Sequence, residues 1–425
     1  MSEFVAFYEA QAKDAFSDIP WLLDIQQKAL NDFLRLGFPN KHQEDWKYTS
    51  LAPFLKNSFA VDKSKSIVKE RSNIPFAAGK TIHFCNGQLV EETLAAIPLP
   101  NGVLVNSLRK ACVQHKDKLQ PFLTSFFPAR DGVHALNTAM LDQGLFIYVP
   151  ADVLLDEPIV ISHAQDKSHQ ASFIRHVVIL EPGSRATVIE DYQGDDLVEY
   201  HTNTMTTIHL SASSHLTHYK IQREGKLSHH LGQLSAVLAT GSQLDSHSFS
   251  IGGQLVRSDT SIHFQEPNAS CLMNGIYAPT GKQHMDHHTE VIHNAPDCHS
   301  EQDYKGVLNG QSRAVFNGRV IVAKGAYHTR AEQQNKNLLL STGTEVDTKP
   351  QLEIFADDVS CTHGATVGQL DEEALFYLAT RGIGRADASR YLVQAFVGEN
   401  LKAITDKELA AWMGTLFDFA TASLA

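Results

Sequence analysis

The chain of 425 residues contains only five cysteines, and no two of them form a Cys-x-x-Cys pair. Because they are few, odd in number and widely scattered, a disulfide framework of the secreted kind is not expected. The N-terminal residues Met-Ser-Glu-Phe lack the basic and then apolar pattern of a signal peptide. No apolar run approaches membrane-spanning length. The sequence therefore predicts a cytoplasmic protein without a membrane segment.

Basic residues are also in the minority, with 36 Lys and Arg against 48 Asp and Glu and a formal net charge of −12. An acidic chain repels phosphate backbones, so nucleic acid is not expected as a partner. The sequence contains no GxxxxGK[ST] phosphate loop, no GxGxxG fingerprint, no GxSxG elbow and no HExxH motif. These absences favour a protein that is not an enzyme.

Three regions differ in their hydrophobic pattern and predict three domains. Residues 1–140 are expected to form a mostly helical N-terminal domain, with one helix indicated by the apolar stripe between Leu22 and Leu34. Residues 141–366 contain short β-branched runs separated by Gly, Asn, Ser and Pro, which predict a mainly β core. Residues 367–425 contain three amphipathic stripes at helical spacing and predict a helical C-terminal domain.

A weak internal repeat runs through the β region. The phrase Ser-x-Ala/Leu recurs with spacings of 30, 28, 28 and 42 residues, at Ser184, Ser214, Ser242, Ser270 and Ser312. Repeats of this length are typical of solenoids, whose coils bury their inward side chains only by stacking on neighbours. A β-helix is the favoured interpretation. The alternatives are a β-sandwich or a pair of jelly rolls, in which the spacing of a common turn-to-strand phrase would be accidental.

The tripeptide Cys361-Thr362-His363 is the most informative chemical feature. In an extended segment, residues two positions apart point to the same face, so the thiol and the imidazole would lie side by side. Together they supply two donors for a metal, which is fewer than a closed four-ligand site requires. The pattern therefore predicts half of a metal site that a partner protein completes. The ordinary interpretation is a small buried cysteine and a histidine in a turn.

A second candidate is a stretch rich in histidine. It comprises His284, Asp286, His287, His288, His293, Cys298 and His299. His284, Asp286 and His288, at alternate positions, could line one face of a strand and bind Zn²⁺ or Fe²⁺. They could equally form the solvated face of a strand. The second interpretation is favoured because no standard ligand spacing occurs.

Five phrases resemble the SufB/SufD family of SUF iron–sulfur cluster assembly proteins. They are residues 41–49 (KHQEDWKYT), 310–318 (GQSRAVFNG), 335–354 (with NLLL and EVDTKPQLEI), 357–368 (DDVSCTHGATVG) and 376–383 (FYLATRGI). The matches extend over nearly the whole chain, and the first two phrases favour the SufD side of the family. The histidine-rich stretch matches less well, so the resemblance assigns no ligands there.

The resemblance implies a right-handed parallel β-helix core flanked by helical N- and C-terminal domains. It implies a non-catalytic scaffold subunit that helps to build and transfer nascent iron–sulfur clusters in a complex with a SufB-like subunit and a SufC-like ATPase. Cys361 and His363 would bind iron or a cluster, transiently and shared with the SufB-like partner. The C-terminal helices would dock the ATPase, with Phe376, Tyr377 and Arg381 as candidate contacts. Cluster type, stoichiometry, iron donor and flavin binding do not follow.

Two other classes of function are compatible with a β-helix. One is a polysaccharide hydrolase or lyase, which would need a groove of acidic and aromatic residues on the face of the solenoid. The other is a self-associating structural protein, because the end coils of a β-helix expose edges that must be covered. A family member could likewise pair with itself as a homodimer in the absence of its partner.

Overall fold

The computed structural model describes residues 3–62, 73–75, 81–95, 97–124 and 130–421. The helix that corresponds to the predicted apolar stripe spans Pro20–Leu36, with proline in its first turn and Gly37 at its C-terminal end. It contains the predicted stripe, and the side chains of Leu22, Leu30 and Phe33 are buried. The helix predicted between Leu22 and Leu34 is therefore present.

Helices occupy the two ends of the described chain and strands occupy its middle. The helices are α1 (Glu3–Asp14), α2 (Pro20–Leu36), α3 (Glu91–Ala95), α4 (Leu108–Gln114), α5 (Lys116–Thr124), α6 (Gly132–Ala139), α7 (Glu372–Thr380), α8 (Arg385–Lys402) and α9 (Lys407–Thr421), with 3-10 turns at Glu44–Trp46 and Phe54–Lys56. The strands are β1 (Thr81–Cys85), β2 (Gln88–Leu89), β3 (Leu104–Ser107), β4 (Leu145–Val149), β5 (Ile159–Gln165), β6 (Gln170–Leu180), β7 (Arg185–Gly194), β8 (Tyr200–Leu210), β9 (His215–Arg223), β10 (His229–Leu238), β11 (Gln243–Ser250), β12 (Leu255–Phe264), β13 (Ser270–Tyr277), β14 (His284–His293), β15 (His299–Leu308), β16 (Arg313–Val322), β17 (Arg330–Leu339), β18 (Glu345–Ile354) and β19 (Ser360–Gly368).

The strands form two sheets that face each other. From β4 onward, successive strands alternate between a nine-stranded sheet, which ends at β18, and a ten-stranded sheet, which ends at β19. From β4 to β19 every pairing is parallel. At the other end, β2 pairs antiparallel with β1, and β3 pairs antiparallel with β4. This is a parallel β-helix, as the sequence predicts, and not a sandwich. We call the space between the two sheets the lumen.

The serine repeat marks the coil period. Ser184, Ser214 and Ser242 lie just before β7, β9 and β11, and each hydroxyl donates to the carbonyl three residues earlier, at 2.6, 2.8 and 2.8 Å. Ser270 is the first residue of β13, the next strand of the same sheet. Ser312 precedes β16, which belongs to the other sheet. The long step of 42 residues is therefore one and a half coils and not a break in the repeat.

The lumen is filled mainly by apolar side chains from both sheets, including Ile161, Val188, Leu216, Leu244 and Phe316. Consecutive coils repeat these side chains at nearly the same position, so each coil buries the one before it. The apolar cluster continues to the last coil, where Val346 and Cys361 are only partly buried. The core thus becomes exposed at the C-terminal end of the β-helix.

The terminal helices cover the outer faces of the two sheets. On the nine-stranded sheet, Phe33 and Phe54 from the N-terminal region pack with Phe173 and Leu231. On the ten-stranded sheet, residues of α8 and α9 such as Val393, Trp412 and Phe417 pack with strand residues Tyr219, Ile221, Phe249 and Ile276. Each sheet therefore has one face in the lumen and the other largely beneath helices.

A buried ion pair fastens the N-terminal region to the β-helix. The Arg257 guanidinium on β12 bonds Asp286 on β14 at 2.6 Å and the backbone carbonyl of Asp45 at 2.7 Å. Its carbon lies 4.4 Å from the ring centroid of Trp46. Thr49 donates to the same Asp286 carboxylate at 2.5 Å. The 41–49 phrase is therefore, in part, a structural clamp between the N-terminal region and the solenoid.

Within the described residues, none of the helices has the length and apolarity needed to span a bilayer. All five cysteines are free: Cys85, Cys112, Cys271 and Cys298 are buried and Cys361 is half-buried. These five free thiols agree with the prediction that the chain has no disulfide framework.

Candidate functional site

The C-terminal end of the β-helix is open. We call this surface, formed by β18 and β19, the open end. These two strands are the last in their sheets, so each has a neighbour on one side only. Apolar side chains are exposed there: Ile354 is 42% exposed, Phe355 63% and Val367 49%. An unpaired strand edge beside exposed apolar groups is a surface that another chain can extend or cover.

Cys361 and His363 lie on β19 and face the lumen side of the open end. In the parallel ladder, Cys361 is paired with Ala331 and His363 with Gln333, both buried residues of β17. Since side chains alternate along a strand, the thiol and the imidazole share one face, with their Cα atoms about 7 Å apart. The structure therefore places a thiol and an imidazole together at an edge that no further coil of the described residues covers.

Cys361 is half-buried against the apolar core. Burial raises the pKa of its thiol, against a smaller opposing effect of a hydrogen bond with the backbone of Ala331. The isolated chain therefore holds a neutral thiol, and a nearby metal ion would favour the thiolate and release its proton.

His363 is exposed and lines a hollow of about 280 Å³ at the lip of the lumen. The same hollow is lined by Gln333 and Asn335 from β17 and by Gly364 from β19. Among the described residues, no side chain or backbone group forms a hydrogen bond with its ring. A neutral imidazole in this position has a lone pair available for an incoming metal ion.

A histidine at the corner of the last coil braces the start of β19. His328 Nδ1 lies 2.9 Å from Asp297 and Nε2 lies 3.1 Å from Asp358, three residues before Cys361. The hydrogen bond to Asp297, with the charges of both carboxylates, raises the pKa of His328. The imidazolium thus links three successive coils at the corner that leads into the open end.

The predicted partner residues lie on α7 and at its C-terminal cap, away from the strand that carries Cys361. Phe376 is 73% exposed and Tyr377 58% exposed. The Arg381 guanidinium lies over the Tyr377 ring at 5.3 Å. Large exposed aromatic groups next to arginine are typical of protein-docking surfaces. The structure therefore shows these side chains exposed on one helix and available to a partner.

The histidine-rich stretch is part of the fold's packing. His284, Asp286 and His288 do share one face of β14, but it is the outer face beneath the N-terminal region. Asp286 is buried, so the interpretation of a solvated face is wrong at this residue. Burial alone would raise the pKa of Asp286, but the charge of Arg257 outweighs it and holds the pKa well below its usual range. Asp286 is therefore an ionised partner of Arg257.

The sequence pattern did not reveal a polar cluster deep in the lumen. His163, His176 and Glu190 come from three strands, and their ligand atoms lie within 4.8 Å of one another. The Glu190 carboxylate accepts from Thr206 at 2.7 Å and contacts His218 at 2.9 Å. Burial would raise the pKa of Glu190, yet the hydrogen bond and charge of His218 outweigh it and lower the pKa.

This lumen cluster has the residue types of a metal site, but its hydrogen bonds argue for another role. The Leu145 backbone N–H donates to Nδ1 of His176 at 3.1 Å, so the ring hydrogen of the neutral imidazole is on Nε2. That nitrogen faces Nε2 of His163 at 3.2 Å and donates to it. Burial lowers the pKa of both histidines. The lone pairs are therefore used internally, and the cluster joins the two sheets.

Comparison with known proteins gives matches over most of the chain. Residues 161–396 match the SufBD core domain of the SUF system for FeS cluster assembly, and residues 1–161 match the SufBD protein N-terminal region. The iron-sulfur cluster assembly protein SufD of Escherichia coli is 32% identical over 391 residues, which cover 90% of this chain and 89% of that protein. A SufBD family protein of Synechocystis is 28% identical over 93% of this chain and 89% of its own length. Protein ABCI7, chloroplastic, of Arabidopsis thaliana is 25% identical over 92% of this chain and 84% of its own length.

Proposed function

The chain belongs to the SufBD family of the SUF system, and from this premise we propose that it is a non-catalytic scaffold subunit of a cytoplasmic complex. The complex builds nascent iron–sulfur clusters and passes them on. In this proposal a SufB-like subunit binds at the open end and a SufC-like ATPase binds at the C-terminal helices. Iron and the cluster are the cargo of the complex and are held only transiently.

One observation carries the proposal: Cys361 and His363 lie side by side at the open end. Thiolate is a soft ligand suited to iron and to cluster assembly, and imidazole is an intermediate donor that also binds iron. Two donors from this chain leave the remaining positions for a partner. The unpaired edges of β18 and β19 can bring that partner into register by adding strands to both sheets.

A site divided between two proteins can release its cargo when they move apart. Each chain then retains only half of the donors, which bind the cargo more weakly than the complete set. Cys361 also supports release, because its half-buried surroundings favour the neutral thiol once the metal has left. In this view the chain holds, orients and then releases the cargo, and it catalyses no covalent step of its own.

The C-terminal helices provide a rigid connection from the ATPase to the solenoid. Exposed Phe376 and Tyr377 on α7 are the proposed contacts of the ATPase, with Arg381 beside them. The neighbouring helix α8 is bound to the β-helix, since Lys305 of β15 pairs with Glu399 at 2.7 Å. Rigid-body movement of the ATPase subunits would therefore be transmitted to the β-helix and its open end.

The test is reconstitution of the complex under anaerobic conditions with single variants of β19. His363→Ala and Cys361→Ala are expected to lower the yield of clusters, measured as iron and sulfide bound per complex. Thr362→Ala is the matched control, because Thr362 is an exposed neighbour on the opposite face of the same strand. A His363→Ala complex that assembles and forms clusters at the wild-type yield would contradict the proposal.

The same open edge can pair with a second copy of the chain, and we expect such a homodimer when the SufB-like subunit is absent. Addition of that subunit should convert the homodimer into the heteromeric complex. A polysaccharide hydrolase or lyase is the less favoured alternative, because the family matches extend over residues 1–396 and name cluster-assembly proteins. Turnover of a polysaccharide by the isolated chain would support this alternative.

A further inference from the structure

Gln333 is the residue directly beneath His363 in the lumen. The two are paired in the parallel ladder between β17 and β19. Adjacent strands in such a ladder lie about 4.8 Å apart, so a glutamine amide reaches the ring of a histidine on the next coil. Gln333 is only 1% exposed, and it lines the same hollow as His363.

The amide of Gln333 has one end bonded and one end free. Its Nε2 donates to Gln302 Oε1 at 3.4 Å, and the same oxygen accepts from Thr289 at 2.7 Å. A Cβ at position 318 would clash with this Nε2, so Gly318 leaves the space that the amide needs. The opposite end, Oε1, is buried and has no hydrogen-bond partner among the described residues.

Of the other amides at this hollow, Asn335 is bonded internally and Gln334 faces outward. Asn335 donates to the Tyr277 hydroxyl at 2.9 Å and accepts from Asn337 at 2.7 Å. Gln334, which also lines the hollow, is exposed on the outer face of β17. A buried acceptor without a partner is costly, so the free oxygen of Gln333 requires a donor. Two adjacent groups have an N–H to give: Gln302 Nε2 on the coil beneath and the His363 ring on the coil above. The Gln302 side chain is buried, whereas the His363 ring is exposed and can rotate toward the oxygen.

Lumen-facing histidines elsewhere in this β-helix form such bonds. His218, which lies in the same ladder column as Gln333 and His363, contacts the Glu190 carboxylate at 2.9 Å. His293 bonds Ser300 at 2.9 Å. Glu190 lies on the preceding coil, and its carboxylate fixes a ring hydrogen of His218 on Nε2. Ser300 lies on the strand that follows His293 in the same coil.

We propose that Gln333 is a positioning residue for His363. In the structure these two groups are neighbours without a hydrogen bond between them. A rotation of the exposed His363 ring would bring one ring nitrogen to Oε1 as a donor, and the lone pair of the other nitrogen would then face the open end. Groups behind a ligating histidine commonly fix its tautomer and ring orientation in this way. The inference rests on the proposed role of His363 as a donor to iron, and it adds the residue that prepares that donor before the metal arrives.

The test uses the full-length chain, without iron, labelled with ¹⁵N in its histidines. Long-range ¹H–¹⁵N spectra at a pH where the ring is neutral report which nitrogen carries the hydrogen, and a His363→Gln variant identifies the His363 signals. In the wild type one tautomer should dominate. Gln333→Met, which keeps the shape and removes the acceptor, should give a mixture of tautomers. Gln333→Glu, which restores an acceptor oxygen, should return the wild-type tautomer.

Gln334→Met is the matched control and should leave the His363 signals unchanged. A merely structural residue would change the melting temperature on substitution without changing the tautomer of His363, so the tautomer is the deciding measurement. Identical His363 signals in the wild type and in Gln333→Met would overturn the proposal. If Gln333→Met fails to fold, a tautomer mixture in Gln333→Glu overturns it instead. Since no iron is present, this result is independent of whether His363→Ala abolishes cluster formation.

Discussion

Replacement of Arg257 by methionine should be one of the most destabilising single changes in this chain. Arg257 and Asp286 have side-chain exposures of 3% and 1%, so their ion pair lies in the regime of buried charges. Removal of one partner from such a pair typically costs about 3–5 kcal/mol, because the other charge remains buried and uncompensated. We therefore expect the free energy of unfolding to fall by about this amount.

Urea unfolding followed by tryptophan fluorescence measures this directly, because Trp46 lies 4.4 Å from the Arg257 guanidinium. The matched control is Arg319→Met on β16, where 43% of the arginine side chain is exposed and the loss should be much smaller. Arg257 also pairs with Asp259 at 2.8 Å, so its loss strands two carboxylates. The double variant Arg257→Met with Asp286→Asn removes one of these two charges and should recover part of the lost stability. A loss below about 1 kcal/mol for Arg257→Met would refute the reasoning, since it would place the pair among surface ion pairs.

The same pair fixes the direction of one pH effect. The pKa of Asp286 is lower in the folded chain than in the unfolded chain, where it is about 3.9. The stability that it contributes is therefore complete above the unfolded value and is lost as the pH falls toward the folded value. Arg257→Met should remove most of this acid dependence.

Three further predictions concern the surfaces and the open end. Phe376→Ser should weaken capture of the SufC-like ATPase by roughly tenfold, as expected for an aromatic contact at an interface. The control is Leu197→Ser, which should leave capture unchanged because Leu197 lies in a distant turn and is 86% exposed. Equal capture by both variants would remove Phe376 from the interface. Val367→Lys should block pairing of the chain at the open end, because an inward-pointing charge on an edge strand prevents strand addition. Size-exclusion chromatography of the mixture with a SufB-like subunit would show this as loss of the complex. Since the pKa of His328 is raised, its contribution to stability is complete below the unfolded value of about 6.5 and is lost as the pH rises through the folded value. Hydrogen exchange at β19 should therefore accelerate at high pH beyond its intrinsic rate, and His328→Asn should abolish the extra acceleration; the same pH dependence in this variant would exclude His328 as the brace.

The solenoid was predictable because its signal is local and repeated. The spacing of Ser184, Ser214 and Ser242 reports the length of one coil, and the side chains that follow each serine enter the same lumen position. The shared face of Cys361 and His363 was equally predictable, since it depends only on the alternation of a strand. The repeat alone did not indicate that Ser312 belongs to the opposite sheet, because the sequence does not show that each coil contributes one strand to each of two sheets.

Other features depend on contacts between distant parts of the chain. The burial of Asp286 depends on Arg257 and Thr49, which bond its carboxylate, and on Trp46, which packs against Arg257. These residues are far apart in the sequence. The lumen cluster around Glu190 combines side chains from both sheets, each in a strand that by itself has an ordinary β pattern. Gln333 likewise looks like one more polar residue in a strand until the ladder pairs it with His363.

The most direct test of the central claim is to identify the ligands of iron in the assembled complex. The complex is assembled with ¹⁵N-histidine in this subunit only, loaded with iron and sulfide, and reduced to a paramagnetic state, and pulsed electron paramagnetic resonance then detects any ¹⁵N coupled to the cluster. The account predicts a ¹⁵N coupling of the size expected for a directly bound imidazole, and its disappearance in His363→Ala. A cluster that forms at normal yield in this complex without any ¹⁵N coupling from this subunit would contradict it.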